Sequence, residues 1–356
     1  MLSNHNPKNI KKFTLVTDAW APQMNGVVTT LSQMVKQLES IGIKVDVVHP
    51  NHYKHFPMPT YPEIPIVWSA KGLEKRILEF QPDAIHIATE GALGWRARRI
   101  CLKHKLPFTS GYHTKYPEYI HQRFPIPKSW IYAVLRRFHN KAETTYVPAQ
   151  SILEELKDKG FKSLAVVNRG VETDIFNPER RANLGLLPPV YLYVGRLAPE
   201  KNIEAFLDLN LEGTKVVVGK GPLLEELESQ YPEAHFVGAK YAEELATYYA
   251  SSDVFVFPSL TDTFGVVNIE SIACGTPVAA FPVTGPKDII TPGVNGYLND
   301  NLATAINQCL TIDRNQISGS INEFTWDGAA EQFLEHLAKI DWRRAKLSSH
   351  QRAALS

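Results

Sequence analysis

Long apolar runs are missing from this chain of 356 residues. No stretch approaches the roughly 20 apolar residues that a membrane-spanning helix needs. The polar, basic start MLSNHNPKNIKK leads into no apolar segment of the signal-peptide kind. A cytoplasmic place is therefore expected, with peripheral attachment to the inner face of the cytoplasmic membrane as the only compatible membrane role. Cysteine is scarce: Cys101, Cys274 and Cys309 are odd in number and lack metal-ligand spacing, which points to reduced thiols rather than a disulfide framework. Charge of one sign is lacking too, since 38 Lys and Arg face 37 Asp and Glu for a net +1. That balance excludes a strong global field, and no nucleic-acid partner is expected. No D-x-D pair occurs; the nearest arrangement is Glu172 with Asp174. The evenly spaced histidines of HPNHYKH (49–55) have no carboxylate or cysteine beside them, so no metal site and no cofactor are expected.

Hydrophobic residues make up 44% of the chain, and its length suffices for two domains with separate cores. Short β-branched runs alternate with helical spacing: FTLVT (13–17), a helix from about 27 to 41, VDVVH (45–49), AIHIA (84–88) and a helix through Arg99. The pattern restarts with VYLYVG (190–195), KVVVG (215–219), HFVG (235–238), a helix near 243–251, VFVFP (254–258) and PVAAF (277–281). Such alternation predicts two doubly wound α/β halves, joined across 166–189, where the sequence turns rich in proline. FTWDGAAEQFLEHLAKI (324–340) has helical spacing at Trp326, Ala330, Phe333 and Leu337.

The densest stretch is 258–290, PSLTDTFGVVNIESIACGTPVAAFPVTGPKDII, in which a buried-type strand runs into Asp262 and Glu270 with seven residues between them. Gly265 opens a helix whose free N–H groups, at Phe264, Gly265, Val266 and Val267, suit phosphate or sugar oxygens, while the two acids suit hydroxyls. Hydroxyls and phosphates together suggest a nucleotide sugar. The passage resembles the E-x7-E signature of the retaining glycosyltransferases of family 4, with Asp262 in place of the first Glu and Glu270 matching the second. The resemblance implies the GT-B fold: two Rossmann-like domains facing a cleft, with a C-terminal helix crossing back to the first. On that reading 1–170 binds the acceptor, 171–323 binds the nucleotide sugar, 324–342 is the returning helix and 343–356 a basic tail.

Other motifs follow the family's order. TDAWAPQMNGVVTTL (17–31) matches P-x-x-x-G-V through Pro22, Asn25, Gly26 and Val27, implying that Gly26 lies near the donor diphosphate and that Asp18 and Asn25 face the acceptor; taken alone, Gly26 is an ordinary turn glycine. YVGRLAPEKN (193–202) matches G-R-x-x-x-E-K-N, making Gly195, Arg196 and Lys201 donor ligands and Glu200 an ion-pair support. A guanidinium and an ammonium there offset charge on a leaving diphosphate. GYHTKYPEY (111–119) carries the family's H-T pair; His113 would sit beside the donor sugar, with Tyr112, Lys115 and Tyr116 as acceptor candidates. NRGVETDIF (168–176) resembles an interdomain loop, with Glu172 for Asp. FVGAK (236–240) would bring Val237 and Lys240 to the nucleobase. GKGPLLEEL (219–227) has Leu224 where a dinucleotide fingerprint needs its third glycine, and fits the family's G-x-G-P turn instead.

The basic, aromatic stretch 121–141, with Arg123, Lys128, Trp130, Arg136, Arg137 and Lys141, reads either as a packed helix with a solvated face or as an interfacial helix on anionic lipid. The expected activity is hexosyl or hexuronosyl transfer, metal-independent and retaining, from a UDP- or GDP-sugar to a diacylglycerol-like lipid or a glycan. A nucleotide-sugar epimerase on the same fold and a noncatalytic nucleotide-sugar-binding protein are the alternatives.

Overall fold

A computed structural model of the chain describes residues 6–23, 25–58, 64–348 and 351; the side chains of Gln122 and Arg123 lie outside that set, as do residues 352–356 of the basic tail. The chain divides into two compact units, Met1–Asn168 with Trp326–Ser356, and Arg169–Thr325.

In the first unit the strands are β1 (Lys12–Val16), β2 (Lys44–Val48), β3 (Lys54–Pro57), β4 (Pro65–Ser69), β5 (Ala84–Ile87), β6 (Thr109–Gly111), β7 (Thr144–Val147) and β8 (Leu164–Val166). Six of them form a parallel sheet in the order β2-β1-β5-β6-β7-β8, while β3 and β4 make a separate antiparallel hairpin. Alternating side chains of one strand serve two cores, as the period of a β-strand demands. Phe13 and Leu15 pack with Leu31, Met34 and Leu38 of helix Gly26–Ser40 and with Phe333 and Leu334 of helix Trp326–His336. Val16, Ile85 and Ile87 pack on the other face with Leu73, Ile77, Leu93, Ala97 and Phe138. The late helix is thus a layer of the first unit: Trp326, Ala330 and Phe333 are buried, as is Leu337 just beyond its end, and Phe333 meets Phe13 edge-on at 5.6 Å.

In the second unit β9 (Val190–Val194), β10 (Thr214–Val218), β11 (His235–Gly238), β12 (Val254–Phe257), β13 (Val278–Ala280) and β14 (Gly296–Leu298) form a parallel sheet ordered β11-β10-β9-β12-β13-β14. Every residue of β9 and β12 is buried, which explains their unbroken apolar sequence. Strand order reverses beside β1 and β5 in one unit and beside β9 and β12 in the other, and ligands of doubly wound sheets bind off the strand ends at such points. Among the described residues no helix is long and apolar enough to cross a membrane.

Candidate active site

In the second unit the loops after β9 and β12 bring together residues 61 positions apart. Lys201 Nζ donates to Asp262 Oδ1 at 2.5 Å, and Arg196 Nη2 donates to Glu200 Oε1 at 2.5 Å. The loops are tied by Asn202 Nδ2 donating to the Pro258 carbonyl (3.0 Å) and Thr261 Oγ1 to the Glu200 carbonyl (3.3 Å). Burial opposes ionisation of Asp262, yet the Lys201 ammonium beside it holds the carboxyl below its usual value. The Asp262 carboxylate, one methylene shorter than that of a Glu, is thus paired with Lys201. The loop after β10 lies directly against that after β9: a Cβ on Gly219 would fall 1.9 Å from the Gly195 carbonyl oxygen, and one on Gly221 2.1 Å from that of Leu197. Backbone on backbone is the physical reason for G-x-G here.

Helix Val266–Ala273 starts from Gly265, whose φ of +82° is left-handed. Phe264 is buried and packs with Phe324 at 5.8 Å; Val266 and Val267 at the helix start are half-buried. One turn on, Glu270 Oε2 accepts from the Tyr249 hydroxyl at 3.1 Å. Burial pushes the Glu270 carboxyl up to about 7, the Tyr249 hydrogen bond pulls against that, and the Glu172 charge adds to it. Val237 is half-buried in β11, while Lys240 pairs with Glu244 at 2.6 Å and lies over the Tyr248 ring at 5.8 Å. Sequence reasoning missed Tyr249 and Asn268. The latter is fully buried in this helix, with no hydrogen-bond partner for its amide among the described residues.

In the first unit several acceptor candidates have structural duties. Asp18 accepts from the backbone N–H of Leu93 (2.9 Å) and Gly94 (3.2 Å) and from the Thr89 hydroxyl (2.9 Å), so it holds the start of helix Ala92–His104. Asn25 caps helix Gly26–Ser40, accepting from Val27 and Val28 N–H at 3.0 Å. Among the described residues, its chain neighbours and its own helix backbone aside, nothing comes within 4 Å of a Cβ placed on Gly26. Tyr112 is a core residue, edge-on to His139 and Phe161. Lys115 is buried too, and is paired with Glu155 at 2.8 Å. Tyr116 opens helix Tyr116–Arg123, and burial first, then the charges of Glu90 and Asp18, push its hydroxyl pKa up. His113 follows β6 with its imidazole over Gly111, where a Cβ would lie 2.5 Å from Nε2.

The 49–55 histidines diverge. The His49 and His52 ring centroids lie 3.9 Å apart with the rings tilted by 43°, and His52 Nδ1 lies 2.9 Å from the Arg76 guanidinium, a neighbour that repels a metal cation. His55 Nδ1 instead approaches the Tyr53 carbonyl. In the basic stretch, Ile131 and Leu135 of helix Lys128–His139 are buried, whereas Trp130 (71% exposed) and Val134 (53%) face outward. Arg136 is not part of that outer face, since its Nη1 donates to the Lys159 carbonyl at 2.7 Å. The side chain of Arg123 lies outside the described residues.

Two family models match: "Glycosyltransferase Family 4" over residues 24–175 and "Glycosyl transferases group 1" over 188–312. The chain belongs to glycosyltransferase family 4. This glycosyltransferase is 28% identical to the GDP-mannose-dependent alpha-mannosyltransferase of Corynebacterium glutamicum, covering 92% of this chain and 89% of that protein. It is also 28% identical to the alpha-monoglucosyldiacylglycerol synthase of Streptococcus pneumoniae, over 90% and 82% respectively. Among solved structures it resembles the sucrose-phosphate synthase of Thermosynechococcus elongatus, with TM-score 0.73 at 22% identity, covering 91% of this chain and 98% of that one. That likeness shows the GT-B fold.

Proposed function

We propose that this glycosyltransferase retains anomeric configuration, needs neither metal nor cofactor, and moves a hexosyl or hexuronosyl group from a UDP- or GDP-sugar to a diacylglycerol-like lipid or a glycan. The observation that carries this reading is the juxtaposition of Lys201 and Asp262 at the strand-order reversal of the second unit, with Arg196 close enough for its charge to act on Asp262. Two cations at that point supply the countercharge that a departing nucleoside diphosphate needs. In the proposed reaction the bond from the anomeric carbon to the diphosphate oxygen breaks as the bond to the acceptor oxygen forms on the same face. The acceptor proton passes to the leaving phosphate oxygen. Glu270 takes the ribose hydroxyls, and Asp262 the donor sugar. The relatives support donor and acceptor classes by their names alone, a GDP-mannose-dependent mannosyltransferase and a diacylglycerol glucoside synthase.

The deciding experiment offers UDP- and GDP-sugars with diacylglycerol in micelles and with oligosaccharides. A glycosylated acceptor of retained configuration is expected. Free nucleotide with an isomerised sugar and no acceptor product would establish the epimerase instead, and binding without turnover the noncatalytic protein. Activity should survive EDTA; abolition by chelator and restoration by manganese would transfer the diphosphate role from Arg196 and Lys201 to a metal.

A lipid acceptor also predicts membrane contact through Trp130 and Val134, which project among Lys128 and Arg137. Vesicles containing anionic lipid should bind more tightly than neutral ones, with binding falling as salt rises. Trp130→Ala combined with Arg137→Glu should weaken that binding at least several-fold. Equal, negligible binding to all vesicles, with efficient glycosylation of a soluble oligosaccharide, would assign the helix to packing alone.

A further inference from the structure

The first unit holds a buried polar chain that the resemblance did not point to. Thr145 Oγ1 lies 3.0 Å from Ser110 Oγ, Ser110 Oγ lies 2.9 Å from His139 Nδ1, and His139 Nε2 lies 2.9 Å from Glu90 Oε1. Thr145, Ser110 and the His139 imidazole are fully buried, and the Glu90 side chain is 5% exposed. With the imidazole proton on Nε2, His139 donates a hydrogen bond to the Glu90 carboxylate oxygen, leaving Nδ1 to face the Ser110 hydroxyl. The chain draws on three elements: β6, β7 and helix Lys128–His139. It converges on the loop that leaves β5.

That loop lies where strand order reverses in the first unit, beside the end of β1. Asp18, from the end of β1, fixes the start of helix Ala92–His104 just after Glu90. Both ends of the Glu90 position are therefore held, by Asp18 through the backbone and by His139 through the side chain. Beyond His139, the carboxylate makes no hydrogen bond among the described residues, and its charge acts on Asp18 and Tyr116. The second oxygen is not among the buried atoms that lack a partner, so it is open at the surface of the unit to a hydrogen-bond donor from outside the chain. Its support is a preorganised ligand position at the place where such sheets bind ligands.

We infer that Glu90 is the acceptor-binding carboxylate of the first unit, taking a hydrogen bond from an acceptor hydroxyl, and that His139, backed by Ser110 and Thr145, is its positioning residue. The inference rests on the transferase reading above and on the first unit holding the acceptor. It stands beside the candidates Asp18 and Lys115, whose polar groups have partners within the unit, and Tyr112, whose ring is packed in its core. The ligand class is a polyol or glycerol hydroxyl, uncharged at the atom bound, because a carboxylate repels an anion and accepts from an O–H.

The test measures steady-state transfer from the preferred nucleotide sugar to two probes, dioleoylglycerol in mixed micelles and methyl α-mannoside, with nucleoside diphosphate affinity by calorimetry. Glu90→Gln, which keeps the shape and loses the charge, should raise acceptor KM about tenfold or more, with nucleotide affinity unchanged, since a hydrogen bond to a charged group is among the stronger ones. His139→Phe should raise acceptor KM in the same direction, and His139→Gln, which retains an N–H donor, should recover part of the loss. Should His139→Phe fail to fold, the near-isosteric Glu90→Gln carries the test. A folded Glu90→Gln protein with wild-type acceptor KM would overturn the inference, as would variants that lose only thermal stability. Wild-type protein that binds the nucleotide sugar yet glycosylates neither probe nor any other acceptor would overturn the transferase reading itself.

Discussion

Lys201→Ala should lower kcat/KM by about two orders of magnitude or more, because it removes a cation from the point where diphosphate charge develops. Arg196 stays in place, but it is already bonded to Glu200, and a fork-shaped guanidinium does not replace a compact ammonium. The variant has a second consequence that can be read without substrate. Asp262 loses the partner that keeps it ionised inside the protein, so its carboxyl pKa should rise, and the folded variant should become less sensitive than wild type to acid over the carboxylate range. The sign follows from linkage: a depressed carboxyl pKa contributes stability above the unfolded value, and that contribution disappears as pH falls through the folded one. Circular dichroism establishes that the variant is folded. A folded Lys201→Ala enzyme with near-normal turnover would remove the diphosphate assignment.

Glu270→Gln should have opposite effects on stability and donor binding. The Glu270 carboxyl is raised from an ordinary 4.5 to about 7, so the folded chain holds a proton that the unfolded chain releases between those values. Its contribution to stability is complete below about 4.5 and is lost as pH rises through about 7. Above that pH the ionised group costs at most about 3 kcal/mol, less to the extent that solvent reaches it. Glutamine avoids that cost. Thermal melts should show the variant several degrees more stable than wild type at pH 8 and equal to it near pH 4.5. Donor affinity should fall about tenfold or more, since an amide offers one acceptor oxygen where a carboxylate offers two to the ribose hydroxyls. In the wild type, donor affinity should improve as pH rises through 7 and the acid ionises. Superimposable melts for the two proteins at all pH values would contradict the buried state of Glu270, and unchanged donor affinity would contradict its ribose role.

Local chemistry made much of the second unit legible in advance. The runs VYLYV and VFVF are apolar throughout because both faces of a parallel strand are covered, and they are found as β9 and β12, while the valines of KVVVG are found in β10. Their loops carry short motifs whose meaning depends on neighbours within a few positions, such as G-R-x-x-x-E-K-N. Short strands and small elements are harder to read: β3, β4, β14 and helix Leu302–Cys309 carry no pattern that separates them from loop in the sequence. Three or four residues of alternation carry too little pattern to stand out from a loop.

In the first unit the partners of the candidate residues were not legible in advance. Asp18, Tyr112 and Lys115 lie in suggestive motifs, yet their partners are Leu93, Gly94, His139, Phe161 and Glu155, from 27 to 76 positions away. Glu90 and His139 are 49 apart and belong to no spacing pattern; only the stacking of β5, β6 and the helix Lys128–His139 puts them 2.9 Å from each other. The sequence by itself determined the two doubly wound halves, the family and the cationic loop after β9, because periodicity and motif spacing are local properties of a chain. Tertiary structure alone decided which buried polar groups support the fold and which remain available to a ligand. A carboxylate's role depends on who occupies its oxygens, and those partners come from distant parts of the chain.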